Sequence, residues 1–271
     1  MTSVSFQGER GAYSEAAAIS FFGRDVQTVP CATFAEVLEY AVGDKADCAI
    51  LPVENSIEGS VGESNDLLYS TALNVVGEKY HKIEHCLIGS GRLDEVDTAY
   101  SHPQALGQCR RFIQSHNMRT IPTYDTAGSV RIVKELNRRN VACIASKQAS
   151  DIHQLPVIEG NIADNTGNYT RFLILSGKRS EDPKNDKTSV IFSVRHEKGA
   201  LYRVMEKFHE SGINLTKIES RPTKATAWEY NFYVDFEGNE ADPRISGAVE
   251  RIKNETLFFK SLGSYRADRI G

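Results

Sequence analysis

The sequence predicts an α/β protein in two parts: a larger N-terminal part of two lobes around a cleft, then a smaller ferredoxin-like βαββαβ module. Three observations carry this. Short apolar runs at residues 4–6, 48–51 and 142–145 alternate with segments of helical periodicity. Hydroxyl, amide and carboxyl groups cluster at several strand ends, where open α/β sheets place ligands. Residues 177–187 hold Lys, Arg, Ser, Glu, Asp and Pro without apolar periodicity, as a solvated linker does. At 271 residues, the chain is long enough to give each part a core.

Taken in order, residues 4–6 form a strand stopped by Gly8. After Gly11, Tyr13-Ser14-Glu15-Ala16-Ala17-Ala18-Ile19 opens an Ala-rich helix with Ser14 as a candidate cap. Strand, glycine turn and helix make an anion-binding layout and equally a plain βα turn, since the glycines match neither dinucleotide nor P-loop spacing. Thr33 and Glu36 form a capping box ahead of the face Phe34, Val37, Leu38 and Ala41. The strand Cys48-Ala49-Ile50-Leu51 ends at Pro52-Val53-Glu54-Asn55-Ser56, whose polar groups either meet a ligand or cap a helix beginning near Gly62. Residues 73–88 are β-rich. Tyr100-Ser101-His102-Pro103-Gln104 ends a strand and opens a helix facing inward through Ala105, Leu106, Cys109 and Phe112. Asp125-Thr126-Ala127-Gly128-Ser129-Val130 repeats the device, as do residues 142–146. Beyond the linker, strands at 188–196, 214–219, 229–236 and 257–265 and helices at 199–209 and 245–252 give the ferredoxin-like order.

Composition bounds the function. With 40% hydrophobic and 25% charged residues, the chain reads as a globular protein, and no apolar run approaches the ~20 residues of a membrane helix. A formal charge of −4 speaks against nucleic acid as a partner. The five cysteines show no CxxC spacing and are expected as buried free thiols. The first residues lack an export signal, so a reducing cytoplasm is the expected compartment. His81 and His85 would need a helix to share a face, so no metal is expected.

The stretch Asn165-Thr166-Gly167-Asn168-Tyr169-Thr170-Arg171-Phe172 runs straight into the strand Leu173-Ile174-Leu175. On an extended backbone, Asn168, Thr170 and Phe172 share one face, offering an amide, a hydroxyl and an aromatic wall, while Arg171 points to the other. Ordinary turn chemistry accounts for the same residues equally well.

With these residues in place, the chain resembles the prephenate dehydratase family. The resemblance rests on Gly11-Ala12-Tyr13-Ser14-Glu15, Pro52-Val53-Glu54-Asn55-Ser56, Ser101-His102-Pro103-Gln104-Ala105-Leu106, Asp125-Thr126-Ala127 and Asn168-Tyr169-Thr170-Arg171-Phe172. The C-terminal module is similar to an ACT regulatory domain of the phenylalanine-sensing kind, through Gly199-Ala200-Leu201 and Glu219-Ser220-Arg221-Pro222. The resemblance implies a catalytic domain over residues 1–178, two-lobed like a type II periplasmic binding protein, and an ACT domain over residues 188–265. Where many family members read Gly-Thr-Phe-Ser, this chain has Gly11-Ala12-Tyr13-Ser14, which leaves prephenate or arogenate open as substrate.

The family implies decarboxylating dehydration of prephenate, with no metal or organic cofactor. Thr170 is then the hydroxyl donor to the leaving oxygen, with Glu54 the alternative proton source and Arg171 a carboxylate partner or an organiser of the site. Asn55, Phe172, Ser14, Ser101, Gln104, Thr126 and Asn168 are the remaining catalytic and substrate-orienting candidates, and each capping group among them serves structure equally well. Gly199, Ala200, Leu201, Asn214, Glu219 and Ser220 are the expected phenylalanine site, and a homodimer or homotetramer is the expected assembly. A non-catalytic amino-acid sensor is the other class such folds would serve. Against it stand the intact Thr170-Arg171-Phe172 and Glu54-Asn55-Ser56 segments.

Overall fold

The computed structural model describes residues 1–223 and 229–270. The chain divides into two compact units, residues 1–61 with 79–172 and residues 62–78 with 173–271.

In the first unit, β1 (Ser3–Gln7) leads through Gly8 and Gly11 to α1 (Tyr13–Phe22), followed by β2 (Gln27–Cys31), α2 (Phe34–Val42) and β3 (Cys48–Asn55). β1 lies parallel to both β2 and β3. Helix α1 starts at Tyr13 with Ala12 in the cap position, so Ser14 lies inside the helix rather than capping it. Glu15 does part of that work: fully buried, it accepts from the Gly11 N–H at 2.6 Å and from the Thr28 hydroxyl at 2.7 Å. The Thr33 cap is present, its hydroxyl accepting from Glu36 N at 3.1 Å, with the Glu36 carboxylate reaching back to Ala32 N. After β3 come the short β4 (Gly59–Ser60), α3 (Gly62–Ser70) and β5 (Asn74–Lys82).

The second sheet of this unit is built from β6 (Cys86–Gly89), β7 (Thr98–Ser101), β8 (Arg119–Pro122), β9 (Val141–Ala145) and β10 (Val157–Glu159), in the order β10-β6-β9-β7-β8. Its connections are α4 (Pro103–Gln108), α5 (Arg110–Ser115), α6 (Thr126–Leu136) and α7 (Lys147–His153). Strand β9 is buried along its whole length because it is covered on both faces. Val141, Cys143 and Ala145 pack with Val130 and Val133 of α6, whereas Ala142 and Ile144 pack with Ala105 and Ile113 of α4 and α5. The turn after β1 meets α7 closely: a Cβ on Gly11 would lie 2.6 Å from Ala149 Cα, and Gly11 itself has φ +91°. The Ser146 hydroxyl donates to Gly11 O at 2.7 Å at the same point. Strand β11 (Tyr169–Ser176) then joins the first sheet, whose order is β2-β1-β3-β11-β5 with β4 on β3.

The second unit carries β12 (Lys187–Ser193), α8 (Ala200–Glu210), β13 (Leu215–Pro222), β14 (Tyr230–Glu237), α9 (Pro243–Asn254) and β15 (Phe258–Tyr265). This is the expected βαββαβ succession, folded as an antiparallel sheet of order β13-β14-β12-β15. The strand expected over 188–196 stops at Ser193, which pairs with Asn231, the second residue of β14, and with Phe258, the first of β15. Val190, Phe192, Val234 and Phe236 pack against Val204, Phe208, Ile245 and Ile252 of the two helices. On the opposite face, Tyr233 donates to Asn65 O of α3 at 2.9 Å, and Lys260 donates to Leu68 O and Tyr69 O at 2.9 and 3.0 Å. Buried Lys187 pairs with Glu78 at 2.8 Å. All five cysteines are buried and free, as expected.

Candidate active site

Asn55 ends β3, and its side chain organises the turn that follows. Its Oδ1 accepts from the backbone N–H groups of Ile57 and Glu58, each at 3.0 Å, an arrangement that short polar side chains make with residues two and three further on. The oxygen is thereby assigned, and the Nδ2 hydrogens face the other way. They reach Asn168 Oδ1 at 2.7 Å, Thr170 Oγ1 at 3.0 Å and Tyr169 O at 3.3 Å. Ser56 fastens the same backbone, its N–H donating to Tyr169 O at 2.8 Å and its hydroxyl accepting from Tyr169 N at 2.9 Å.

Thr170 is 8% exposed. Its oxygen already accepts from Asn55, and no acceptor for its own hydrogen is found among the described residues. A hydroxyl that accepts one hydrogen bond is a better donor in the next, because successive bonds polarise one another. The residue is therefore a polarised donor whose hydrogen finds no acceptor among the described residues.

The second sheet's elements complete the cluster. Gln108, at the end of α4, accepts from Asn168 Nδ2 at 3.0 Å through Oε1, and its Nε2 donates to Glu58 Oε1 at 3.3 Å. His85 Nε2 lies 2.9 Å from the same Gln108 oxygen, and His85 Nδ1 lies 2.9 Å from the Tyr13 hydroxyl. Asp164 fixes the connection between them, its N–H donating to Gln108 O at 2.8 Å and its carboxylate accepting from Arg111 N at 3.0 Å. Burial lowers the His85 pKa and, with smaller contributions from Cys86, Cys109 and Glu84, raises that of Tyr13 well above its ordinary value. Burial likewise pushes the Cys109 thiol to about 12. Burial thus favours the neutral forms of His85, Tyr13 and Cys109.

The expected residues thus separate. Asn55, Asn168 and Thr170 meet directly. Glu54 precedes Asn55 on β3 and is half-buried, while the exposed Glu58 accepts from Gln108 Nε2 at the edge of the cluster. Arg171 and Phe172 are buried within β11. Ser101 was expected to orient substrate, yet it is fully buried and its hydroxyl donates to Ile144 O at 2.6 Å, joining β7 to β9. Ser14 is buried in α1, Gln104 is exposed in the first turn of α4, and half-buried Thr126 is the first residue of α6. Asp125 caps α6 by accepting from Gly128 N at 2.6 Å, and Thr126 and Ala127 open the helix. Gln108, His85, Tyr13 and Glu58 were not foreseen as a group. A signal existed for Gln108, one helical turn beyond Gln104 within Gln104-Ala105-Leu106-Gly107-Gln108. Among the described residues, no three His, Cys, Asp or Glu side chains cluster so as to hold a metal ion.

In the second unit, Gly199 has φ +79° and precedes Ala200, the first residue of α8, with Leu201 packed at the core's edge. Strand register puts the C-terminal ends of β12 and β13 together, since Ser193 and Arg221 both pair with Asn231. Glu219 and Ser220 therefore lie toward the end of the sheet where α8 begins. Asn214 precedes the other end of β13, about 20 Å from Ser220 at the usual rise of a strand. One copy of the chain does not bring Asn214 to the other five.

Two sheets flanked by helices, with amide and hydroxyl groups gathered at strand ends, define an α/β protein with a polar small-molecule site. The chain belongs to the prephenate dehydratase family, whose profile matches residues 4–180. It is 37% identical over 265 residues to the bifunctional chorismate mutase/prephenate dehydratase of Aquifex aeolicus (strain VF5), covering 97% of this chain and 73% of that one. Other relatives are named arogenate dehydratase, among them a Petunia hybrida protein. Solved structures similar over 98% of this chain include the following two. One, described as GqqA, a novel type of quorum quenching acylase, has a TM-score of 0.90, 30% identity and 98% of its own length covered. The other, a prephenate dehydratase in complex with L-Phe from Arthrobacter aurescens, has a TM-score of 0.89, 29% identity and 90% of its length covered.

Proposed function

We propose that the protein is a prephenate dehydratase of phenylalanine biosynthesis, acting through the Asn55–Asn168–Thr170 cluster. Prephenate loses carbon dioxide and its ring hydroxyl together: the bond to the carboxyl carbon breaks, its electron pair enters the ring, and the carbon–oxygen bond opposite breaks. One proton is taken up, so that the products are phenylpyruvate, carbon dioxide and water. Aromatisation drives the reaction, and the poor leaving group limits its rate. The observation that carries the reading is the Thr170 hydroxyl, whose oxygen is bonded to Asn55 while its hydrogen remains to be donated. It donates to the departing oxygen as charge develops there, and solvent restores the proton. The opening N–H groups of α6, with Thr126, suit a substrate carboxylate. Asn55 and Asn168 orient the donor, Phe172 and Arg171 hold its strand, and Ser14 and Gln104 border the cleft. Neither metal nor organic cofactor is needed for these bond changes.

In this reading, residues 1–178 form the catalytic domain, two-lobed in the manner of type II periplasmic binding proteins, and residues 188–265 form an ACT domain in a cytoplasmic enzyme. Phenylalanine is the ligand we assign to the ACT domain, with its carboxylate at the N–H groups of Ala200 and Leu201 and Glu219 and Ser220 nearby. Asn214 joins that site only from a second copy, and β13, an edge strand with Ile218 exposed, offers a surface for pairing. A homodimer or homotetramer follows. Arogenate, which carries an ammonium in place of the keto group, is the alternative substrate. The test offers purified protein each substrate separately and follows phenylpyruvate and phenylalanine. Phenylpyruvate from prephenate is expected. Phenylalanine from arogenate alone would make the protein an arogenate dehydratase, and no product from either would overturn the catalytic reading.

A further inference from the structure

We propose that His85 is a positioning residue of the dehydratase site, held as the neutral Nε2–H tautomer so that it fixes the orientation of the Gln108 amide. Backbone N–H groups of Ile57 and Glu58 face the Asn55 oxygen, so Asn55 must donate through Nδ2. Asn55 donates to Asn168, so the Asn168 atom facing it is oxygen and its Nδ2 faces Gln108. The Gln108 atom receiving that hydrogen is in turn oxygen, and the same oxygen lies 2.9 Å from His85 Nε2. Two acceptors at that distance would repel, so Nε2 carries a hydrogen. Nδ1 is then the accepting nitrogen, 2.9 Å from the Tyr13 hydroxyl, for whose single hydrogen Glu84 O at 2.7 Å is the competing acceptor. His85 is 2% exposed, and burial favours its neutral form.

The consequence for function lies at Gln108. With both lone pairs of its oxygen occupied, by Asn168 and by His85, the Gln108 Nε2 hydrogens are turned to the opposite side, where Glu58 receives one. Without His85, this amide orientation is favoured over its flip by the bond from Asn168 and the longer bond to exposed Glu58 alone. A flipped Gln108 would set an NH₂ against the Asn168 NH₂ and loosen the amide chain that ends on Thr170. Tyr13 matters because its hydroxyl gives Nδ1 a donor, which a phenylalanine at that position does not supply.

This inference rests on the dehydratase reading for its kinetic consequence but not for its tautomer, and the experiment separates the two. Full-length protein labelled with ¹⁵N-histidine is studied by long-range ¹⁵N–¹H correlation, with the His85→Gln variant identifying the His85 signals. The Nε2–H pattern is expected throughout about pH 6 to 8; an Nδ1–H pattern or a mixture of tautomers would overturn the proposal. In the second arm, His85→Phe, which keeps a ring and loses the donor, is compared in the parent and in Gln108→Met. We expect kcat to fall about 10-fold in the parent with KM nearly unchanged, and no further fall in the Gln108→Met background. An equal loss in both backgrounds would mean that His85 acts through general packing, against the proposal. Should His85→Phe not fold, Tyr13→Phe, expected to cost a few-fold in kcat in the parent alone, carries the same comparison. A parent protein inactive on both prephenate and arogenate removes the dehydratase reading while the tautomer result stands by itself.

Discussion

Thr170 and Asn55 share one hydrogen bond whose direction decides what each can do. Because Asn55 donates, Thr170→Ala removes the hydroxyl donor and one of the acceptors of the Asn55 amide, whose bonds to Asn168 Oδ1 and Tyr169 O remain. We expect kcat to fall by about 100-fold or more while KM stays within a few fold, because the lost bond acts on the leaving oxygen chiefly in the transition state. Thr170→Ser keeps the hydroxyl but not the methyl that holds its rotamer, and should retain part of the activity. Steady-state kinetics on the three proteins checks this, and a near-normal kcat for Thr170→Ala would remove the residue from the mechanism. At His85 the same scale gives a pH dependence. Burial depresses its folded-state pKa below the ordinary ~6.5, so the unfolded chain binds the proton more readily. The stability contribution is full above about pH 6.5 and declines as pH falls below it, by at most about 1.4 kcal/mol per pH unit for one group. His81, also lowered by burial, acts in the same direction. Urea midpoints should therefore fall between about pH 7.5 and 5.5, and fall less steeply in His85→Phe; equal slopes would contradict the assignment.

At the scale of elements, α3 illustrates what a sequence conceals. Its start near Gly62 is legible, but Gly62-Glu63-Ser64-Asn65-Asp66-Leu67-Leu68-Tyr69-Ser70 says nothing of what covers it. Its partners lie some 150 to 190 residues further along the chain: Arg221 bonds Asp66, Tyr233 bonds Asn65 O, and Lys260 reaches the carbonyls of Leu68, Tyr69 and Thr71. A cation at the last carbonyls caps the helix and opposes its dipole. Burial pushes the Lys260 pKa down, so the carbonyls are what make the charged form tolerable there. Lys260→Met should cost about 0.5 to 1.5 kcal/mol, the usual net worth of hydrogen bonds at acceptors that solvent partly reaches. Urea denaturation measures it, and an unchanged midpoint would show that water replaces the ammonium. The same limit explains the active site. Asn55, Asn168 and Thr170 sit in short motifs that local chemistry picks out, and the strands and helices follow from apolar period and caps. Gln108 and His85 acquire their roles from side-chain bonds between residues 60 and 23 positions apart, which no local pattern records. Ser101 shows the converse, a hydroxyl in a suggestive motif that the fold directs to a backbone carbonyl.

At the scale of the molecule, regulation is a relation between two ligands, and reciprocity makes it measurable. If phenylalanine binds at Ala200 and Leu201 and favours a less active catalytic domain, substrate must weaken phenylalanine binding by the same factor that phenylalanine weakens substrate binding. That factor is typically about 5- to 150-fold, or roughly 1 to 3 kcal/mol. Cutting the chain in the linker is a poor test, because residues 62–78 belong to the same compact unit as the C-terminal sheet, and removing that sheet strips α3 and Glu78 of their partners. The full chain is therefore titrated calorimetrically with phenylalanine, once alone and once saturated with a non-reacting dicarboxylate analogue of prephenate. Light scattering on the same samples reports the assembly, since a site that needs Asn214 from a second copy requires at least a dimer. A weaker phenylalanine affinity in the presence of the analogue, in a dimer or tetramer, is the expected result. Glu219→Gln should weaken phenylalanine in both titrations while the ratio between them persists, because that ratio belongs to the coupling and not to the contact. Equal affinities with and without the analogue would show that the two sites are independent, and a strict monomer that still binds phenylalanine would remove Asn214 from the site.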